Sequence, residues 1–89
     1  MPQVAFTPAL ARYIESARVT ASGDTVGAVL AAVFSEQPRL RGYVLDEQSH
    51  LRRHVAIFLN GTLMARERAL DAPVTPDDEV LVMQALSGG

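Results

Sequence analysis

Two short stretches of this chain, at residues 55–59 and 80–83, are apolar at every position. Such a run is typical of a strand that is buried on both faces, whereas a strand with one wet face alternates between apolar and polar residues. The first run ends at Asn60-Gly61, a strong hairpin signal because both residue types accept positive φ. We therefore predict a short return strand at 62–64 and a final strand at 80–83.

The first twenty residues predict two antiparallel strands. The side chains of residues 3–7 alternate between two faces of a predicted strand. The strand ends at Pro8, which has no backbone N–H to donate to a neighbouring strand. Residues 14–20 are compatible with a second strand, after a turn at 10–13. Because this link is too short for a crossover connection, the two strands are predicted to pair antiparallel.

A helix is predicted from Val26 to about Gln37. Asp24 or Thr25 can cap its first free amides, and Pro38 stops it at the other end. The apolar residues of this segment fall on one face at helical spacing, and that face is expected to cover the sheet. They are Val26, Val29, Leu30, Val33 and Phe34.

Two segments carry weaker patterns. Residues 39–54 contain scattered apolar positions interrupted by the polar run 46–50, and we interpret them as a segment that leads into a hairpin-like excursion with that run at its tip. Residues 69–78 contain two prolines and three aspartates, which predict a loop with one tight turn before the last strand. The predicted order is strand, strand, helix, strand, short strand, strand.

One helix covers only one face of a sheet, yet the last strand is apolar on both faces. If Val80 and Val82 face the helix, Leu81 and Met83 face outward, with Leu63 of the return strand beside them. An exposed apolar patch of this kind usually marks a surface for a partner. The alternative is that these side chains are covered by loops or are simply scattered over the surface.

Length and composition narrow the function classes. With 89 residues the chain is predicted to form a single domain over 1–89, with no room for a cleft between domains. It has no cysteine, which excludes a disulfide framework, a thiolate zinc site and a thiol nucleophile. The net charge of −2 gives no reason to expect nucleic acid or a membrane surface as partner. Because no segment is long and apolar enough to span a membrane, we expect a cytoplasmic protein.

Three groups of charged or titratable residues are candidate sites. His50 and His54 lie four apart but lack an obvious third ligand, so no metal is expected. The acidic run 77–79 is interpreted as a turn before a strand, with the option that it orients a partner near the C-terminus. A local group of arginines is either an ordinary solvated surface or a contact for an acidic partner. Its members are Arg39, Arg41, Arg52 and Arg53.

The last residues, 84–89, are predicted to form a flexible tail that ends in Gly88-Gly89. Glycine has no Cβ, so two glycines can pass through a narrow channel and leave the terminal carboxylate open to reaction. Ser87 and Leu86 extend the reach of this end. The alternative interpretation is that a frayed or truncated terminus happens to be rich in small residues.

The order of elements, the Gly23-Asp24-Thr25-Val26 start of the helix, the Asn60-Gly61 turn and the terminal Gly-Gly together resemble the ubiquitin-like sulfur carriers of the MoaD/ThiS family. The resemblance spans nearly the whole chain. It implies an α+β fold of the β-grasp class, in which a mixed sheet of about five strands is covered on one face by one main helix.

The resemblance also implies a chemistry. In such carriers an E1-like adenylyltransferase uses ATP to adenylate the C-terminal carboxylate, here that of Gly89. A sulfur donor such as a sulfurtransferase then supplies sulfur for a thiocarboxylate, which a sulfur-accepting synthase consumes. The chain itself would bind no cofactor and act as a co-substrate or small subunit rather than as an enzyme. The family's partner-facing patch falls at Leu63 and Met83, and the alternation of the last strand adds Leu81.

Several features separate this chain from parts of the family. Gln84-Ala85 stands where many relatives carry two prolines, and Thr7 is polar where some carry an aromatic residue. The excursion at 41–54 is longer than in compact thiazole-pathway carriers, which favours molybdopterin or cysteine biosynthesis over thiamin. Two other functions stay open: a ubiquitin-like modifier conjugated through Gly89, and an interaction module whose tail is never activated.

Overall fold

The computed structural model describes residues 1–7 and 18–84. The predicted turn at 10–13 and the predicted strand residues 14–17 lie outside this part of the chain, as do residues 85–89. The strands are β1 (Gln3–Phe6), β2 (Arg18–Thr20), β3 (Val55–Leu59), β4 (Thr62–Leu63) and β5 (Glu79–Gln84). The helices are α1 (Val26–Glu36) and α2 (Pro38–Val44), with a 3-10 turn at Ala69–Asp71.

The strands of the described residues form one mixed sheet in the order β2-β1-β5-β3-β4. The two central strands, β1 and β5, pair in parallel, and all other neighbours are antiparallel. The first and last strands of the chain therefore lie side by side, with β2 beyond β1 on one side and the β3–β4 hairpin beyond β5 on the other. This is the β-grasp arrangement that the sequence resemblance predicted, and the predicted hairpin turn is confirmed by positive φ at Asn60 and Gly61.

Helix α1 is capped by Thr25, one of the two candidates, whose hydroxyl accepts a hydrogen bond from the Ala28 amide at 3.1 Å. The predicted apolar face of α1 is confirmed, since its five members are the buried residues of the helix. Gly27, near the start of α1, lets the 3-10 turn pack closely. A Cβ at this position would lie 2.9 Å from the Leu70 carbonyl oxygen.

The hairpin interpretation of 39–54 was wrong in its first half, because residues 38–44 form helix α2. Pro38 is pre-organised for the first turn of a helix, and Leu40 and Val44, four residues apart, are both fully buried. The polar run does form a tight tip, closed by an antiparallel bridge between Leu45 and Leu51. A helix of seven residues carries too few apolar positions for its period to stand out in the sequence.

The core lies between one face of the sheet and the two helices. Along β5 the predicted alternation is confirmed: Val80 and Val82 are fully buried, and Met83 is exposed. No polar or charged side chain is buried among the residues that the structure describes. Within the same residues, no helix has the length and apolar character that a membrane span requires.

Candidate functional site

The end of strand β5 is the point from which the Gly-Gly terminus continues. The strand reaches Gln84, so this residue belongs to the sheet and not to the predicted tail. The amide of Thr7 donates to the Val82 carbonyl at 3.2 Å, and its hydroxyl accepts from the Gln84 amide at 3.2 Å. On the other side of β5, Val55 of β3 is in register with Gln84. We call Thr7, Val55 and Gln84 the tail exit.

The residues predicted to carry the chemistry follow the tail exit directly. Gly89, Gly88, Ser87 and Leu86 lie outside the described residues, so their roles stay predictions. The structure describes the strand that precedes them. This strand, β5, is central in the sheet and has hydrogen-bonded neighbours on both sides up to its last residue. A tail that starts from such a strand begins at a fixed point and in a fixed direction relative to the rest of the surface.

The face of the sheet opposite the helices carries a row of apolar side chains. Leu81 of β5 is in register with Ala5 of β1 on one side and with Phe58 of β3 on the other. Phe58 is in turn opposite Leu63 of β4. Residues in register on neighbouring strands point to the same face, so these side chains form one continuous row across four strands.

Met83 and its register partner Ala56 extend this row toward the tail exit. We call the whole set the open-face patch: Ala5, Ala56, Phe58, Leu63, Leu81 and Met83. Leu63 is 60% exposed and Met83 37% exposed, while Leu81 is half-buried. The three predicted partner-facing residues therefore lie on one face of the sheet, and a partner seated on that face would also reach the exit of the tail.

Phe58 is a member of the patch that the sequence did not single out. Its stretch is apolar at every position, so the pattern alone did not assign Phe58 to either face. The assignment needs the register between β3 and β5, which is set by long-range pairing. The alternation then follows, with Val55 and Ile57 buried and Phe58 half-exposed on the open face.

The opposite end of the open face is polar. Arg18 of β2 forms an ion pair with Glu79 at the start of β5, and it donates a hydrogen bond to Gln3 Oε1 at 2.9 Å. Both charged side chains of the pair are about half-exposed, so the pair contributes little to stability. The open face thus changes from polar beside Glu79 to apolar beside Leu81 and Met83.

The acidic run 77–79 forms the predicted turn before β5. Asp78 accepts hydrogen bonds from the Asn60 side chain at 2.9 Å and from the Thr75 amide at 2.7 Å, which together hold the pKa of its carboxyl below the ordinary value. Asn60 also accepts from the Glu79 amide at 2.8 Å. The acidic run lies at the start of β5 and Gln84 at its end. The option that these acids orient a partner near the C-terminus stays a prediction.

The polar tip at 46–50 is organised by another aspartate. Oδ1 of Asp46 accepts from the amides of His50 at 3.0 Å and Gln48 at 2.8 Å, and these bonds, led by that from His50, lower the pKa of Asp46. Ser49 takes a positive φ of 66° in this turn. In the part of the chain that the structure describes, His50 and His54 join no group of side chains able to hold a metal ion.

Arg66 is a structural residue that sequence reasoning missed. Its guanidinium donates to four backbone carbonyls, those of Leu51 at 2.9 Å, Arg52 at 2.7 Å, Arg53 at 2.7 Å and Val55 at 3.1 Å. The planar fork of donors suits such a cluster of acceptors. No sequence signal could reveal it, because the carbonyls converge only when the segment leading into β3 is folded.

A family model described as the ThiS family matches residues 6–89, which includes the terminal glycines. No curated protein gives a significant match.

Three solved structures show the similarity of fold. The crystal structure of SAMP1 from Haloferax volcanii has a TM-score of 0.81 and 28% identity, and the match covers 99% of this chain and 98% of that one. Mycobacterium tuberculosis CysO has a TM-score of 0.84 and 25% identity, with 97% and 100% covered. A chain in the Amycolatopsis orientalis BexX/CysO complex has a TM-score of 0.88 and 22% identity, with both chains covered at 100%.

Proposed function

This chain belongs to the ThiS family, and we propose that it is a sulfur carrier whose Gly89 carboxylate is adenylated and then converted to a thiocarboxylate. The chain acts as a co-substrate rather than as a catalyst. An E1-like adenylyltransferase supplies the activation with ATP, a sulfurtransferase or a similar donor supplies the sulfur, and a synthase takes it up. Gly88, Ser87 and Leu86 provide the narrow, reaching end that enters the active sites of these enzymes.

The observation that carries the proposal is the continuity between β5 and the Gly-Gly end. The family match runs through residue 89, and Gly88 and Gly89 lie four and five residues after Gln84, the last residue of a central strand. A carrier needs a reactive end that is free of side chains and a rigid base that fixes where the end begins. Thr7 and Val55 supply that base on either side of Gln84.

The chemistry requires an activated acyl group. A carboxylate resists nucleophiles because of its negative charge, so an oxygen of the Gly89 carboxylate first attacks the α-phosphate of ATP and displaces pyrophosphate. Sulfide then attacks the acyl carbon and displaces AMP, which leaves a thiocarboxylate and releases a proton. If a protein persulfide attacks instead, a thiol must afterwards cleave the acyl disulfide to release the thiocarboxylate. The chain contributes only the acyl group, and it contains no cysteine.

The open-face patch is the proposed contact surface for the activating and accepting enzymes. It combines exposed apolar side chains, Leu63 and Met83, with the half-buried Leu81 and Phe58 on a face that the helices leave uncovered. Burying such a patch is favourable, and its position next to the tail exit means that one partner can hold the patch and the tail together. The proposed site of action is the cytoplasm.

For the destination of the sulfur we propose molybdopterin or cysteine biosynthesis rather than thiamin biosynthesis. The support is the elaborated connection between α1 and β3, which contains the extra helix α2 and the closed tip at 46–50. Compact thiazole-pathway carriers have little in this place. The accepting synthase decides the pathway, so incubation of the thiocarboxylated chain with candidate synthases tests this part of the proposal.

A second function, modification of other proteins through Gly89, is favoured by one specific observation. SAMP1 from Haloferax volcanii is 28% identical and shares the fold over nearly its whole length. A second crystal structure of the Haloferax volcanii protein is described as that of small archaeal modifier protein 1. All eight basic residues of the present chain are arginines, so it offers no lysine side chain for attachment of another copy. Conjugates that survive both a reducing agent and hydroxylamine on a gel would support this second function.

The main proposal is tested by intact-mass spectrometry of the purified chain after incubation with ATP, an E1-like adenylyltransferase and sulfide. The expected result is a gain equal to the mass difference between sulfur and oxygen, lost when Gly89 is deleted. If the mass does not change while the same enzyme thiocarboxylates another carrier, the sulfur-carrier proposal is wrong. Retention of function after deletion of Gly88 and Gly89 would instead support an interaction module.

A further inference from the structure

The small net charge of this chain conceals a separation of charge along the sheet. Strands β3 and β5 are antiparallel, with Val55 in register with Gln84, so the start of β3 lies beside the end of β5. Arg53 and His54 immediately precede β3, whereas the acidic run 77–79 leads into the start of β5. The topology therefore places basic side chains at the tail exit and acidic side chains at the far end of β5.

A shallow depression of about 200 Å³ marks the basic end. It is lined by Arg53, His54 and Arg66, together with Val55, Ala56 and Met83. We call its three nitrogen-bearing side chains the exit cluster: Arg53, His54 and Arg66. Met83 and Ala56 also belong to the open-face patch, so the cluster and the patch form one continuous surface.

Among the described residues, no acidic side chain forms an ion pair with an arginine of the exit cluster. Within residues 1–7 and 18–84, the one ion pair is that of Arg18 with Glu79. Arg66 donates to backbone carbonyls, which are neutral acceptors, so its positive charge remains. These same bonds hold the carbonyls of residues 51–55, and they therefore fix the backbone that presents Arg53 and His54.

We propose that the exit cluster is a docking site for a carboxylate-rich protein surface that borders the channel receiving the tail. This inference rests on the proposed function, because it requires a partner that takes up the tail. A partner that covers Met83 must also remove water from Arg53 and Arg66. Covering an arginine without an opposite charge is costly, so aspartate or glutamate side chains of the partner are needed at this place. The guanidinium fork favours carboxylates in paired geometry.

The test measures binding of the chain, labelled at its N-terminus, to an E1-like adenylyltransferase by fluorescence anisotropy at about 50 and about 300 mM NaCl. For Arg53→Glu we expect binding at least about tenfold weaker at low salt and a flatter dependence on salt. Arg53→Gln, which removes the charge without reversing it, is expected to lie between the wild type and Arg53→Glu. The control is Arg39→Glu, which makes the same change of charge in the first turn of α2, outside the depression.

Several results would overturn the docking site. These are binding of Arg53→Glu within about twofold of the wild type, an equal loss in Arg39→Glu, or no binding by the wild type. A loss that appears only when ATP is present would assign the cluster to nucleotide phosphates and not to a protein surface. The mass gain on thiocarboxylation, measured separately, reports on the proposed function. A mass gain without an effect of Arg53→Glu on binding would support the proposed function and refute the docking site. Salt-dependent binding that Arg53→Glu weakens, without a mass gain, would support the docking site and refute the proposed function.

Discussion

The hydroxyl of Thr7 accepts a hydrogen bond from the backbone amide of Gln84, 77 positions away in the sequence, at an N to Oγ1 distance of 3.2 Å. The Thr7 amide also donates a hydrogen bond to the Val82 carbonyl. Thr7, the residue directly after β1, therefore binds two positions of β5. Thr7 stands out in the sequence only as a polar residue at a place where some relatives carry an aromatic one. The fold explains it as the residue that secures the last position before the terminal segment.

Replacing Thr7 by valine keeps the shape of the side chain and removes its oxygen. The Gln84 amide then loses its acceptor, and its hydrogen exchange is expected to become about tenfold faster. Exchange measured by NMR checks this, with Thr7→Ser as the control that retains a hydroxyl. Unchanged exchange in Thr7→Val would show that the bond does not order the tail exit.

Replacing Arg66 by lysine tests whether its hydrogen bonds to the carbonyls of Leu51, Arg52, Arg53 and Val55 stabilise the fold. Lysine keeps the charge but cannot serve the same spread of carbonyls, so we expect a loss of about 2 kcal/mol in the free energy of unfolding. Urea unfolding measures the change, and Arg68→Lys is the matched control because Arg68 lies on the exposed surface nearby. An equal change in the free energy of unfolding for the two substitutions would show that these hydrogen bonds do not stabilise the fold.

The two glycines in helices are predicted to respond to alanine in opposite ways. At Gly27 a Cβ would lie 2.9 Å from the Leu70 carbonyl oxygen, whereas at Gly42 no atom lies within 4 Å of it. Gly42→Ala is therefore expected to stabilise the fold by up to about 1 kcal/mol through helix propensity. Gly27→Ala is expected to destabilise it, because backbone must move. Thermal unfolding compares them, and stabilisation by both would mean that the 3-10 turn shifts freely.

The pKa of Asp78 is lowered in the folded state, which gives its contribution to stability a definite sign. A lowered pKa favours the folded state at pH values above the ordinary value of 3.8, and this contribution is lost as the pH falls through the lower, folded value. Asp78→Asn is therefore expected to reduce the loss of stability on acidification below about pH 4. Urea unfolding against pH checks this, with Asp77→Asn as control. An unchanged acid profile in Asp78→Asn would contradict it.

The sequence predicted those parts of the fold that local patterns determine. Thr25 as a cap, the buried face of α1, the Asn60-Gly61 turn and the alternation along β5 all follow from short-range rules. Helix α2 was missed because Leu40 and Val44 alone mark its buried side. The mixed sheet came from the family resemblance, and no pattern in the strands predicted that β1 pairs in parallel with β5.

The same division applies to the candidate site. The outward direction of Leu81 and Met83 follows from period two in a strand, so the sequence alone identified them. Phe58 required the register between strands, and Arg66 required the convergence of four carbonyls, both of which arise from contacts between distant segments. Sequence reasoning thus found the residues whose role is set locally and missed those whose role is set by topology.

Met83 is the residue at which the open-face patch and the tail exit meet, so it gives the sharpest test of the patch. Met83→Lys places a charge on the face that a partner must cover, and we expect it to weaken binding to an E1-like adenylyltransferase at least about tenfold. The fold is expected to stay intact because Met83 is 37% exposed. Ala31→Lys adds the same charge on an exposed position of α1 and should leave binding unchanged. Equal affinity of the Met83→Lys chain and the wild type, measured by titration, would show that partners do not use this face.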